Sequence, residues 1–404
     1  MSNTAKYAEV CLDYAAHTPV DPEVLRVMLP YFGEIYRNPS SMHEGGRRAK
    51  AAIEKARETT ARAINAKPEE VIFTGSGTES DNLAILGAAR AYRSEGDHVI
   101  VSATEHKAAL ESARMLERDG FRVTVLPVNH YGIVDTSSLL EAITDRTVLV
   151  SLIYANNELG SVNPITKVSQ AIANVRGARR MPLFHTDACQ AMSYLPVDVE
   201  ELGVDLMTFN GAKVYGPSGV AALYIRTGVR IEPLLRGGEQ EHLLRPGTQS
   251  VPLIAGFTAA IELARSQRMS ESERLLELRK YFIARLCQEV PGLIVNGHPK
   301  AVLPTIVHVT IPGVEGEAML LMLDARGIRV STGSACSAFD LRPSHVLSAI
   351  GQESDIIHGS IRFSFGRDTT KEKLDYVLTV FPEIVSHLRK ISAVTTSAYA
   401  MQHR

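Results

Sequence analysis

The chain has 404 residues, 45% of them hydrophobic and 22% charged, with a net charge of −2; this is the profile of a globular protein too long for one compact core. Lys+Arg 43 against Asp+Glu 45 marks no polyanion-binding face, so no nucleic-acid partner is expected. No run reaches the roughly 18 apolar residues of a membrane span. The best, Val251 to Leu263, is broken by Thr258 and Glu262, and the N-terminus has no apolar core of a secretory signal.

From about residue 45 to 225, amphipathic segments alternate with short apolar ones. Arg47 to Ile64 is predicted as a helix with Ala52, Ala56, Ala63 and Ile64 on one broad face. Val71-Ile72-Phe73 reads as a short buried strand, followed by a glycine-rich turn and a helix from Glu79 to Tyr92. Further strand-like runs are Val99 to Val101, Val123 to Leu126, Val148 to Ile153 and Leu183-Phe184, with helical stretches between most of them. Such alternation specifies a mainly parallel sheet covered on both faces, with binding sites in the loops at the strands' carboxyl ends.

The rhythm changes after about residue 250. Two helices, Leu253 to Arg265 and Ser270 to Glu289, lead to strands at Ile306 to Val309 and Ile361 to Ser364. A last helix, Lys371 to Leu388, carries Leu374, Val377, Leu378 and Phe381 on one face. The expected organisation is a large domain over residues 15–260 and a smaller α+β domain made of 1–14 and 261–404, the seam falling near 250–265.

Four segments can carry chemistry. Phe73 to Glu79 runs from a strand through Gly75-Ser76-Gly77-Thr78 into a helix, presenting backbone N–H groups and the positive helix end to an anion. It lacks the Gly-Lys-Ser/Thr of a Walker loop, and the plainer reading is a tight turn with Thr78 as the N-cap. His185-Thr186-Asp187-Ala188-Cys189-Gln190 follows a buried strand; a carboxylate there can anchor a protonated ring nitrogen or simply cap a helix. Cys189 reads as a small core residue, and no companion at metal-ligand spacing accompanies His185 and Asp187, so no metal site is expected. Lys213, in Phe209-Asn210-Gly211-Ala212-Lys213-Val214-Tyr215-Gly216-Pro217, sits among small and apolar residues, where burial favours the neutral amine a Schiff base needs. Cys336, in Ser331-Thr332-Gly333-Ser334-Ala335-Cys336-Ser337, is flanked by small polar residues typical of an exposed loop, unlike Cys287 in its apolar helix. Together with Cys11 and Cys189 these four cysteines are too scattered for zinc and too few for a disulfide scaffold, which fits a reducing cytoplasm.

With Leu12-Asp13-Tyr14-Ala15-Ala16, Thr78-Glu79-Ser80-Asp81-Asn82, Thr104-Glu105-His106-Lys107-Ala108, Asn156-Asn157-Glu158, Arg245-Pro246-Gly247-Thr248 and Ser360-Ile361-Arg362-Phe363-Ser364, these segments span nearly the whole chain. In this combination the sequence resembles the class V, fold-type I enzymes that use pyridoxal 5'-phosphate (PLP), and within them the cysteine desulfurases of the iron–sulfur-cluster and nitrogen-fixation type. The resemblance implies an α/β, aspartate-aminotransferase-like large domain and a smaller α+β domain carrying the cysteine loop at about 331–342. It implies that Lys213 holds PLP and shuttles protons, that Asp187 pairs with the pyridinium nitrogen, that His106 stacks on the ring, and that Gln190 bonds its phenolic oxygen. The phosphate would lie on the Gly77 and Thr78 amides with Asn210 nearby, and Thr248 would reach in from a second subunit of a homodimer. Arg362 would hold the carboxylate of L-cysteine, with Asn157 close to the same group. Cys336 would take the sulfur as a persulfide, release alanine, and pass the sulfur to an acceptor or scaffold protein for iron–sulfur cluster assembly or thio-modification.

The chain departs from that family where histidine commonly precedes the lysine and serine stands two residues earlier; here these are Ala212 and Asn210. Loss of the imidazole removes a charge-assisted phosphate contact of about 1.5–3 kcal/mol, which predicts weaker PLP retention. The alternatives within PLP chemistry are a selenocysteine lyase or another class V enzyme such as an aminotransferase, although transamination needs no thiol. The alternative of another kind is a non-catalytic sulfur-relay scaffold, which has no chemical need for Lys213, Asp187, His106, Cys336 and Arg362 together.

Overall fold

A computed structural model describes residues 9–176, 180–333 and 343–391. Its strands, in chain order, are β1 (Val10–Cys11), β2 (Val71–Thr74), β3 (His98–Ser102), β4 (Arg122–Leu126), β5 (Thr147–Ile153), β6 (Leu183–Asp187), β7 (Leu206–Asn210), β8 (Ala221–Ile225), β9 (Ile294–Asn296), β10 (Ile306–Thr310), β11 (Ile328–Arg329) and β12 (Ser360–Ser364). Seven form one sheet in the order β2-β8-β7-β6-β5-β3-β4. The β4-β3-β5-β6-β7 pairs are parallel, and β8 runs antiparallel to both β2 and β7. The carboxyl ends of β2, β3, β5, β6 and β7 therefore share one edge.

Alternate residues of the same strands feed two different cores, as the two-residue strand period requires. Phe73, Ile100, Val150 and Phe184 point into one, and Ile72, Val99, Leu149 and Leu183 into the other. The sheet is thus buried on both faces, as its near-continuous apolar strands predict. A third core joins Val10 and Leu12 to the antiparallel β9-β10-β12 sheet, the β1-β11 parallel pair and the last helix, Lys371–Ile391.

Two helical expectations are corrected. The segment after residue 250 is one helix, Val251–Glu289, not two. Its middle holds serines rather than Gly or Pro, and Ser266 and Ser270 bond back to the carbonyls of Leu263 and Gln267, so nothing stops the helix. It supplies Val251 to Ala264 to the first core and Leu275 to Leu286 to the third. The helix expected from Glu79 to Tyr92 is instead Gly77–Asn82, a π-turn at Leu83–Gly87 and a further turn at Ala88–Ala91. The π-turn ends at Gly87, whose carbonyl accepts the Glu232 N–H at 3.0 Å and where a Cβ would lie 2.6 Å from the Glu232 carbonyl oxygen, so another segment passes close against the turn.

Candidate active site

The shared sheet edge gathers most of the residues singled out in the sequence. Asp187 ends β6 and is buried; one carboxylate oxygen accepts the Cys189 N–H at 2.8 Å, which turns the chain back toward the sheet. Gln190 Nε2 donates to the Ala15 carbonyl at 2.9 Å. Lys213, in the short turn after β7, donates to the same carbonyl at 2.7 Å and to that of Ala16. One backbone oxygen thus brings the lysine amine and the glutamine amide to the same place.

The anion-binding turn follows β2. Ser76, not Thr78, is the N-cap, its hydroxyl accepting the Glu79 N–H at 3.1 Å. Gly77 and Thr78 then occupy helical positions whose amides have no partner within the helix. A Cβ on Gly77 would lie 2.9 Å from both Asn210 Nδ2 and Cys189 Sγ, so only glycine leaves that approach open. Asn210 Oδ1 is buried without a hydrogen-bond partner. Glu79 bridges this turn to a distant one: it accepts the Gly75 N–H at 2.8 Å and Arg245 Nε at 2.9 Å.

His106, after β3, is the N-cap of the helix Lys107–Arg118, and its Nδ1 accepts the Ala108 N–H at 3.1 Å. In the neutral ring the proton accordingly resides on Nε2. Beneath these groups lies a buried polar layer that the sequence did not reveal. His185 is fully buried, its Nδ1 2.8 Å from Ser151 Oγ and its Nε2 3.1 Å from Thr208 Oγ1; burial pushes its pKa down to about 3, so it is a neutral imidazole. Burial, with the nearby Asp187 charge adding to it, raises Asp81 well above the usual carboxyl range. Burial also lifts Glu105 to about 8. The Cys189 thiol is likewise pushed up by burial, then by Asp187, which keeps it protonated and unreactive. Cys287, read as packed in its helix, is exposed.

Arg362 enters from the other sheet. It sits on β12, its side chain buried, with Nη1 donating to the Asn157 carbonyl at 2.8 Å and Nη2 to Asp13 Oδ1 at 2.8 Å. Its Nε is buried without a partner. Asn157 therefore meets Arg362 through its backbone. Thr248 lies exposed beyond a constrained turn in which Glu241, His242 and Leu243 all have positive φ, at 47°, 55° and 67°. That turn is pinned by the buried Glu241, which takes two 2.8 Å bonds from Arg57, one of 2.8 Å from the Phe73 N–H and one of 2.9 Å from Gln249. Cys336 and most of its loop lie outside the described residues; Ser331 to Gly333 before it and Pro343 onward after it are described.

The donors fit PLP. A carboxylate at a strand end suits a protonated pyridine nitrogen, the Gly77 approach bordered by Asn210 suits a phosphate, and the Lys213 amine stands beside Gln190. Among the described residues no cluster of His, Cys, Asp and Glu could hold a metal ion, and no helix is long and apolar enough to cross a membrane.

Residues 10–377 match the model of the aminotransferase class-V family, and the chain belongs to that family, whose members depend on PLP. Cysteine desulfurases are among its relatives there. It is 48% identical over 385 residues to cysteine desulfurase IscS of Dictyoglomus turgidum, covering 95% of this chain and 96% of that one. It is 46% identical to cysteine desulfurase IscS of Methanosarcina thermophila, over 96% and 95% of the two chains. Among solved structures, a NifS-like protein superimposes with a TM-score of 0.88 at 35% identity, covering 94% of this chain and all (100%) of that one.

Proposed function

We infer that this chain is a PLP-dependent cysteine desulfurase that converts L-cysteine to L-alanine and leaves the sulfur as a persulfide on Cys336. The observation that carries this reading is the meeting, at one sheet edge, of Lys213, Asp187, Gln190 and the Gly77 turn, with the Arg362 cation entering from the other sheet. Near-full-length identity to named cysteine desulfurases supports it.

Asp187 would hold the pyridine nitrogen protonated, Gln190 would meet the ring oxygen, and His106 would cover the ring face. The amides of Gly77 and Thr78, with Asn210, would take the phosphate, and Thr248 would complete that grip from the second subunit of a homodimer. When bound, PLP supplies an electron sink for negative charge developing at the substrate α-carbon. Lys213 would tether it and, once freed from the Ala15 and Ala16 carbonyls, move protons at the substrate α- and β-carbons. Arg362, held on two sides, has further N–H groups to offer the substrate carboxylate, with Asn157 alongside. The Cys336 thiolate attacks the substrate sulfur, the bond from sulfur to the β-carbon breaks, and proton transfer to that carbon completes alanine. No external oxidant or reductant is needed. The persulfide then passes to an acceptor or scaffold protein in the cytoplasm, for iron–sulfur cluster assembly or thio-modification.

The test is to incubate purified holoenzyme with L-cysteine and a reductant and to assay alanine and sulfide. Wild type should release both, whereas Cys336→Ser should retain PLP and release neither. Sulfide release that survives Cys336→Ser would overturn the persulfide route.

A further inference from the structure

Glu158 is a buried carboxyl group that the reaction as described above does not use. It lies where both flanks of the segment bearing Cys336 come together. On the far side of the segment, Ser344 Oγ donates to Glu158 Oε2 at 2.6 Å. The same Ser344 oxygen accepts the N–H groups of Val346 and Leu347 at 3.2 and 3.3 Å, and so caps the helix His345–Ala349. On the near side, Gly333 is tucked against the same carboxyl oxygen: a Cβ there would lie 3.1 Å from Oε2. Gly333 also has φ +131°, a conformation that other residues rarely adopt.

The anchor itself is rigid. Asn156, fully buried, accepts the Glu158 N–H at 2.9 Å and the Leu159 N–H at 2.7 Å, and donates to the Thr104 carbonyl at 2.9 Å. Leu159 packs with Val346, Leu347 and Ile357 in a small core of its own, which holds the far flank down. His345 Nε2 reinforces it with a 3.0 Å bond to the carbonyl of Glu105, the residue before His106. The near flank is fixed once more where Ser331 pairs with Arg362 in a two-bond bridge of 2.7 and 3.2 Å. Asn157, one residue before Glu158, accepts from the Arg362 side chain. The Asn156-Asn157-Glu158 run therefore joins the carboxylate-binding arginine to both flanks of the nucleophile's segment.

We propose that Glu158 is a positioning residue for sulfur transfer, its carboxyl group fixing the two ends from which Cys336 must reach the substrate sulfur. This rests on the reading of the chain as a cysteine desulfurase with Cys336 as nucleophile. One carboxylate oxygen that accepts from Ser344 and lies against Gly333 sets the spacing of the two flanks between which Cys336 stands in the sequence. Misplacing the ends should slow attack on sulfur without weakening the hold on cysteine, because Asp13 and the Asn157 carbonyl still fix Arg362.

The experiment compares full-length holoenzyme carrying Glu158→Ala, Glu158→Gln or Ser344→Ala with wild type. In Glu158→Ala, kcat for alanine should fall about tenfold or more while KM for cysteine stays within about twofold. Iodoacetamide alkylation of Cys336 without cysteine, read by peptide mass spectrometry, should become several-fold faster. Glu158→Gln should restore both, because its amide oxygen still accepts from Ser344, and Ser344→Ala should show the same changes in weaker form. A folded Glu158→Ala with wild-type kcat and alkylation would overturn the proposal, as would a Gln variant as impaired as Ala. If Glu158→Ala does not fold, Ser344→Ala decides alone, and wild-type values there refute the anchoring. Failure of the wild type to form alanine would instead refute the desulfurase reading, whereas alkylation would still report on the anchor.

Discussion

The two walls of the site are built on different principles. On the seven-stranded sheet, Asp187, the Gly77 turn and Lys213 sit at strand ends over a fully buried polar layer of Asp81, Glu105 and His185. Strand ends and turns place the backbone of each group there, and the Lys213 amine is tied further to the Ala15 and Ala16 carbonyls. On the three-stranded sheet, Arg362 is placed by others: its side chain is held by Asn157 from the opposite wall and by Asp13 from the N-terminal segment. The first wall suits a permanently resident group, fixed by backbone geometry and low polarity. The second suits a ligand that comes and goes, because its cation is already aimed before anything binds and little ordering is left to do.

Substitutions should separate the walls. The largest effect belongs to Lys213→Ala, which should cut alanine formation by roughly 10³-fold, as loss of a proton-transfer group does; a steady-state assay at saturating cysteine measures it. On the other wall, Arg362→Lys should lower kcat/KM for cysteine by about 10²-fold, mostly through KM. An ammonium cannot reproduce the forked geometry held by Asp13 and Asn157. An Arg362→Lys enzyme with normal KM would mean that the carboxylate is held elsewhere. A smaller, opposite change is expected from Ala212→His, which should tighten PLP binding about tenfold in an equilibrium titration of the apo-protein. Unchanged affinity would remove the idea that the phosphate grip is weak there.

The remaining prediction concerns stability rather than catalysis or binding. Glu105 ionises near 4.5 when unfolded but only at about 8 when folded, because burial disfavours its charge. Between those values the folded chain holds a proton that the unfolded chain has lost. Stability contributed by this site is therefore full below about pH 4.5 and declines as pH rises toward 8, by at most about 1.4 kcal/mol per pH unit. Glu105→Gln should flatten that part of the melting-temperature profile. An unchanged slope would show that the charge is better accommodated than its burial implies.

Much of the first wall was legible in the sequence, because its signals are local. Apolar runs marked β2, β3, β5 and β6, and the small residues after β2 and β7 marked the turns that hold Gly77 and Lys213. The pairs that stabilise the site were not legible. Arg57 and Glu241 are 184 positions apart, and Arg362 and Asp13 are 349 apart, so no spacing rule joins them. Glu105 and Asp81 stood in the sequence only as members of motifs with no role of their own, because burial is a property of the assembled sheet. The unbroken helix was missed because a polar stretch around Ser266–Ser270 reads like a loop, although serine stops a helix only when its hydroxyl competes successfully for the backbone.

That helix has a practical consequence. Its 39 residues form a beam about 58 Å long, with its first third sealed into one core and its second half into another. A cut anywhere along it strips cover from an apolar stripe on each fragment. Efforts to express either half alone, to permute the chain, or to insert a tag between the halves should leave residues 251–289 whole and choose an exposed turn instead.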